Sequence, residues 1–144
     1  MGSDGHTIRL ELPSSFDLLD LVQMVSERLS ALAGLDEDAT HWTSVAVRES
    51  VINAIKHGNR EDRRKCVTVE FVLTPKDHPR ELIVGVLDEG MGFDPEAIAN
   101  PLDPENVLKS SGRGIFFMKN FMDDVSVTRR PEGGTAVRMT KKLA

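Results

Sequence analysis

Residues 7–12 alternate apolar and polar, with Ile8, Leu10 and Leu12 on one side, which is the period of a half-buried strand. Pro13 stops the strand, and Ser14 or Ser15 can cap a helix. From Phe16 the apolar positions fall at Leu18, Leu19, Leu21, Val22, Val25, Leu29 and Leu32. That is helical spacing, and Gly34 ends it. A second helix can start within residues 36–40, with Trp42, Val45, Ala46, Val51, Ile52 and Ile55 as its apolar stripe. Gly58 is expected to end it as a C-terminal glycine does, by tolerating positive φ.

Residues 66–74 and 81–87 then read as two strands, joined by a hairpin connection over 75–80. Residues 88–95 form a glycine-bearing turn. The weakly patterned stretch 97–111, with Pro101 and Pro104, is long for a structureless connection, and loops of that length are often lids or binding loops. Helical spacing resumes over 112–122 with Ile115, Phe116, Met118, Phe121 and Met122. Residues 124–129 and 135–141 are two last strands, with their turn at 131–134. The order predicts an α+β fold: a two-layer sandwich of a mixed, mainly antiparallel sheet with helices on one face.

Composition narrows the class. A chain of 144 residues, 40% hydrophobic and 28% charged, suits one globular domain over 1–144, with 1–6 flexible. The net charge of -5 gives no bulk attraction to nucleic acid or to anionic membrane. The local basic cluster Arg60, Arg63, Arg64 and Lys65 reads as a solvated loop. Cys66 is the one cysteine, so no internal disulfide forms, and its place at the head of a Val/Phe-rich run predicts a buried residue. No run approaches 18 apolar residues and no apolar signal core follows a basic start, so a cytoplasmic protein is expected.

Four polar elements interrupt this pattern. Glu49, Asn53 and His57 lie four residues apart, one helical turn above one another. Buried without partners they would be costly, and a metal, a nucleotide or water would satisfy them. On spacing alone, an exposed polar face beside Arg48, Ser50 and Lys56 is the plainer account. Asp88, Gly90 and Gly92 sit at the end of an apolar strand, where a carboxylate can face a pocket and glycines admit close approach. Taken alone they are a strand-end turn. Gly112-Arg113-Gly114 opens a helix, whose first N–H groups suit phosphates. Gly133-Gly134-Thr135 enters the last strand and by itself is an ordinary hairpin turn.

Together, in this order, Glu-x-x-x-Asn-Ala-x-x-His-Gly at 49–58, Asp-x-Gly-x-Gly at 88–92, Gly-x-Gly at 112–114 and Gly-Gly-Thr at 133–135 resemble the nucleotide-binding boxes of the GHKL (Bergerat-fold) ATPase/kinase superfamily. The resemblance spans about 40 to 142. Within it, residues 49–58, and 112–118 continuing through 121–125, look most like the anti-sigma factor serine/threonine-protein kinases. No Gly-x-x-x-x-Gly-Lys-Ser/Thr loop is present, which disfavours a P-loop enzyme. Only one helix precedes the Glu49 helix and it contains no histidine, which argues against an intact histidine kinase.

The resemblance implies roles. Asn53 would hold Mg²⁺ and Glu49 would be the general base. Asp88 would accept from the adenine amino group, with Thr135 supporting the same end. Gly90 and Gly92 would let the base approach the backbone. Gly112 and Gly114 would offer N–H groups to the phosphates of ATP. Arg113 and Lys109 are the nearest cations, and Ser110 stands where a second arginine would serve better. His57 marks the end of the first box and lines the pocket. The lid is expected at about 95–111.

The function implied is transfer of the ATP γ-phosphate to a serine of an anti-anti-sigma (STAS-type) protein, with sequestration of a sigma factor, by a homodimer without direct nucleic-acid or membrane contact. Two other functions stay open at this point: a non-catalytic ATP-dependent partner-binding module, and an ATPase or the catalytic half of a split histidine kinase. Glu49 favours transfer, since holding ATP needs no base.

Overall fold

A computed structural model describes residues 5–90 and 114–143, with side chains described at all of these but 114–117. The expected lid at 95–111, together with Gly92, Lys109, Ser110, Gly112 and Arg113, lies outside the described residues.

Five strands form one sheet: β1 (His6–Pro13), β2 (Cys66–Thr74), β3 (Glu81–Leu87), β4 (Asp124–Arg129) and β5 (Thr135–Lys142), in spatial order β1-β2-β3-β5-β4. Each of the four described pairings is antiparallel, so the mixed pairing allowed for in the sequence is not needed among these strands. β1 opens at His6, and Gly5 before it is buried, while residues 1–4 of the end expected to be flexible lie outside the described residues.

The alternation that predicted the strands sets the inner face. Leu12 meets Val67, Val69 meets Val86, and Val84 meets Met139 across the ladders, and all of these side chains are buried. Three helices cover that face: α1 (Leu19–Leu32), α2 (Glu37–Asn53) and α3 (Gly114–Phe121). Val22 and Leu29 of α1, with Val47 and Val51 of α2, complete a single apolar cluster with Phe71, Leu82, Met118 and Met122. Burial of this kind is the main favourable term holding the two layers together.

Caps mark the helix starts. Ser15 accepts the Asp17 N–H at 3.2 Å ahead of a short 3₁₀ turn, Phe16–Leu18, that leads into α1. Asp36 Oδ1 accepts the Ala39 N–H at 2.8 Å, and Glu37 and Asp38 add favourable charge at the first turn of α2. Gly34 takes φ +94°, the left-handed conformation that halts α1 as expected. Trp42 is not part of the buried stripe; it is 39% exposed and stacks on Phe121 with ring centroids 4.5 Å apart.

Two expectations need correction. α2 does not end at a left-handed Gly58. It passes into a π turn, Ala54–Gly58, in which the Asn59 N–H reaches the Ala54 carbonyl at 2.8 Å. The positive φ values fall later, at Arg60 (52°) and Glu61 (57°). Cys66 is exposed rather than buried, because it occupies the end of β2, where the inward alternation begins only at Val67. The basic cluster is solvated as expected, with Arg64 on Asp62 at 3.0 Å and Arg63 near Asp17 at 3.6 Å.

Candidate functional site

The site is built where the end of α2 meets the end of β3. Glu49 and Asn53 are half-buried on α2, one turn apart. Asn53 is its last regular residue, and the carboxamide Nδ2 is buried without a hydrogen-bond partner among the described residues. A buried polar atom left unpaired costs free energy, so its persistence marks a place where a ligand or water completes the bonding. Amide nitrogen and oxygen are interchangeable by a flip, so either atom can face that ligand. The π turn adds a residue to the helical repeat, and π turns inside helices are frequent at functional sites. His57 therefore no longer stands one regular turn above Asn53. It is exposed, and partial burial, reinforced by Lys56, lowers its pKa and favours the neutral imidazole.

Asp88 follows β3 directly and is 5% exposed. Its Oδ1 accepts two backbone N–H groups, from Gly90 and from Thr135, each at 3.0 Å. Its own N–H donates to the Thr135 carbonyl at 3.0 Å, and Arg130 donates to its carbonyl at 2.7 Å. Its Oδ2 lies over Gly58, in the space where a Cβ on that residue would sit. That is the physical reason for glycine at 58, in place of the expected φ. Gly90 packs against the Gly58 carbonyl just as closely, and Gly134, at φ +95°, packs against the Asp88 carbonyl. Burial raises the pKa of Asp88 above the usual carboxylate range, against the opposing effect of the Gly90 and Thr135 amides and of Arg130 and Lys65.

The sequence-predicted residues thus divide. Asp88, Gly90 and Thr135 are brought together, with Gly58, around one buried carboxylate. Glu49 and Asn53 share a face of α2. His57 sits on the π turn beyond them, and Gly114 is the first residue of α3. Gly92, Gly112 and Arg113 lie outside the described residues.

Two residues that matter here carry no motif. Asn59 is 1% exposed, and its Oδ1 accepts the Glu89 N–H at 2.7 Å. Arg130 holds the Asp88 carbonyl from the β4–β5 turn. Their partners are remote in sequence, so spacing gave no signal. A lone Asn after a helix-ending glycine, and an Arg before a Pro-Glu-Gly-Gly turn, both read as loop residues.

Among the described residues, no three His, Cys, Asp or Glu side chains converge on a possible metal position, and no helix is long and apolar enough to cross a membrane. The arrangement offers a buried carboxylate packed among Gly58, Gly90 and Gly134 and, along α2, a second carboxylate and a carboxamide whose Nδ2 has no partner among the described residues.

A family model described as the histidine kinase-like ATPase domain matches residues 12–141. The anti-sigma F factor of Bacillus subtilis (strain 168) is 40% identical over 121 residues, covering 80% of this chain and 79% of that protein. The serine-protein kinase RsbW of Staphylococcus aureus is 27% identical over 149 aligned positions, covering 99% and 91%. Among solved structures, that of the RsbU and RsbW domains of Rv1364c from Mycobacterium tuberculosis aligns with a TM-score of 0.67 at 18% identity. It covers 96% of this chain, which spans 32% of that one, and it bears on the fold alone.

Proposed function

The chain belongs to the histidine kinase-like ATPase family, and from that premise we propose that it is an ATP-dependent protein serine kinase that also sequesters a sigma factor. The acceptor is a serine of an anti-anti-sigma (STAS-type) partner. The protein works as one cytoplasmic domain that pairs into a homodimer. The observation that carries the reading is the Asp88 carboxylate, buried and bonded at Oδ1, with Oδ2 directed over Gly58. That is what an adenine amino group requires.

The described residues fit Mg-ATP at the other end as well. Asn53 Nδ2 is buried without a partner among the described residues, and with the amide flipped its carboxamide oxygen would suit a hard cation. Bound there, Mg²⁺ supplies positive charge against the phosphates. Glu49, one turn back on the same helix, accepts the proton of the acceptor serine hydroxyl as the serine oxygen bonds to the γ-phosphorus and the bridging bond to ADP breaks. Asp88 and the Thr135 backbone orient the base, and Gly114, at the start of α3, offers its N–H to the phosphates. His57 lines the pocket entrance in its neutral form. Phosphoryl transfer depends mainly on such positioning and charge.

Incubation with γ-labelled ATP and candidate anti-anti-sigma proteins tests the reading. Label on a partner serine supports it. Phosphate release without label points to a plain ATPase, and partner binding with neither points to a binding module.

Two predictions arise from the carboxylate. Gly58→Ala puts a methyl group where Asp88 Oδ2 lies, so ADP affinity is expected to fall by about tenfold or more while the helix itself tolerates alanine. Calorimetry showing unchanged affinity would remove Asp88 from the base site.

The second concerns pH. Asp88 accepts from the base best when ionised, and burial raises its pKa, so ADP affinity is expected to decline on acidification before an ordinary aspartate protonates. Fold stability moves the other way for this group. Its folded pKa lies above the unfolded one, so its contribution is fully present below the unfolded pKa and is lost as pH rises through the folded pKa. Affinity and melting temperature measured across the same pH series check both signs, and Asp88→Asn is expected to remove this acid limb of the affinity curve.

A further inference from the structure

Asn59 belongs to none of the four boxes, yet four separate segments meet on its side chain. Nδ2 donates to Ser14 Oγ at 2.7 Å and to the Cys66 carbonyl at 3.0 Å, while Oδ1 accepts the Glu89 N–H at 2.7 Å. Ser14 Oγ donates onward to the Lys65 carbonyl at 2.7 Å. The end of β1, the end of the π turn, the start of β2 and the residue after Asp88 are thereby tied to one carboxamide. Glu89 closes the loop with its carboxylate on the Cys66 N–H.

The geometry explains what this tie controls. The Asp88–Gly90 turn is gripped from the β4–β5 side by Thr135 and Arg130, and both of these act on Asp88 itself. From the helix side the grip is Asn59, acting one peptide further on. Gly58, over which Asp88 Oδ2 lies, adjoins Asn59 in the chain. Because Oδ1 is occupied by two N–H donors, Oδ2 is the oxygen left to read a ligand, and its aim depends on how the turn is held against the π turn. Releasing the Glu89 N–H frees the turn on the side that faces Gly58.

We propose that Asn59 is a positioning residue for base selectivity: by holding the Glu89 N–H it keeps the Asp88 Oδ2 acceptor over Gly58, which favours a purine carrying a 6-amino donor over one carrying a 6-oxo acceptor. This rests on the reading of Asp88 as the base-reading carboxylate. A carboxylate meeting a 6-oxo group opposes two acceptors, so the discrimination comes from a penalty as well as from a bond.

The test is calorimetric titration of the full chain with ADP and with inosine diphosphate, alongside a melting curve. Wild type binds ADP the more tightly. Asn59→Ala lowers the ratio of the two affinities by about tenfold. A merely structural role lowers the melting temperature and leaves the ratio unmoved. Asn59→Asp keeps an acceptor for the Glu89 N–H but sets an oxygen against the Cys66 carbonyl, so it is expected to melt lower than wild type while its ratio stays above that of Asn59→Ala. Where Asn59→Ala does not fold, Asn59→Ser carries the same test, since its hydroxyl is too short to span to Glu89. A wild-type ratio in either folded variant overturns the role of Asn59. A wild-type protein that does not prefer ADP overturns the reading of Asp88, and this inference with it.

Discussion

Asn53→Ala is expected to abolish measurable Mg-ATP binding, a fall of at least about a hundredfold, while leaving the fold as stable as before or more so. The two halves of this expectation share one cause. Asn53 Nδ2 is buried and has no partner among the described residues, and a buried donor left unpaired costs roughly 1–3 kcal/mol. Alanine removes that cost and is the better helix former at the last residue of α2. A residue whose removal firms the fold but empties the site is held there for binding, the usual exchange of stability for function. Calorimetry with Mg-ATP and a melting curve read the two halves separately. Unchanged affinity sinks the metal-ligand role, and a large drop in melting temperature shows that Asn53 holds the helix rather than the ligand.

Glu49→Gln separates binding from chemistry. The substitution keeps the size and half-buried setting of the side chain on α2 but removes its capacity to take a proton. ATP affinity is expected to stay close to wild type, while transfer to the partner serine slows by about 10²–10⁴-fold, the range usual for loss of a general base. Single-turnover assays with pre-bound ATP make the distinction, since they exclude nucleotide loading from the measured rate. Phosphorylation at the wild-type rate would show that the base lies elsewhere. If both transfer and affinity collapse, Glu49 acts on nucleotide binding and the variant cannot speak for the chemistry.

Much of the scaffold was legible in the sequence because its signals are local. The apolar runs at 66–74 and 81–87, with the hairpin connection between them, correspond to β2 and β3 as found. The spacing through Val22 and Leu29 placed the buried face of α1, and Gly34 ended it by the predicted mechanism. Local signals also failed in identifiable ways. Cys66 stood next to a buried run, but adjacency does not decide on which side of a strand's first buried residue a neighbour falls. Gly58 looked like a helix stop, and its use turned out to be steric: it makes room for a carboxylate 30 residues later in the chain.

The candidate site was legible at Asp88, Gly90 and Thr135, because a known pattern put them in order. Asn59 and Arg130 were not, because a hydrogen bond between distant segments leaves no periodicity. The bond from Asn59 to Ser14 spans 45 positions and that from Arg130 to Asp88 spans 42. Glu49 and Asn53 fall between these cases. Their spacing was visible at once, but how far the stripe is buried depended on the helix packing, which leaves both residues half-buried and Asn53 Nδ2 without a partner among the described residues.

The contact between Asp88 and Thr135 also bears on how the molecule is made. A chain synthesised only as far as Gly90 has Asp88 but lacks Thr135, whose N–H is bonded to its Oδ1, and Arg130, which fixes its carbonyl. The setting of this carboxylate is thus assembled from residues 47 positions apart, the kind of non-local contact that slows folding. Nucleotide that binds through this acceptor stabilises the finished fold and not the partly made one, by mass action on the native state alone. Under the proposed reading of Asp88, nucleotide is then a ligand that favours molecules in which β5 has docked.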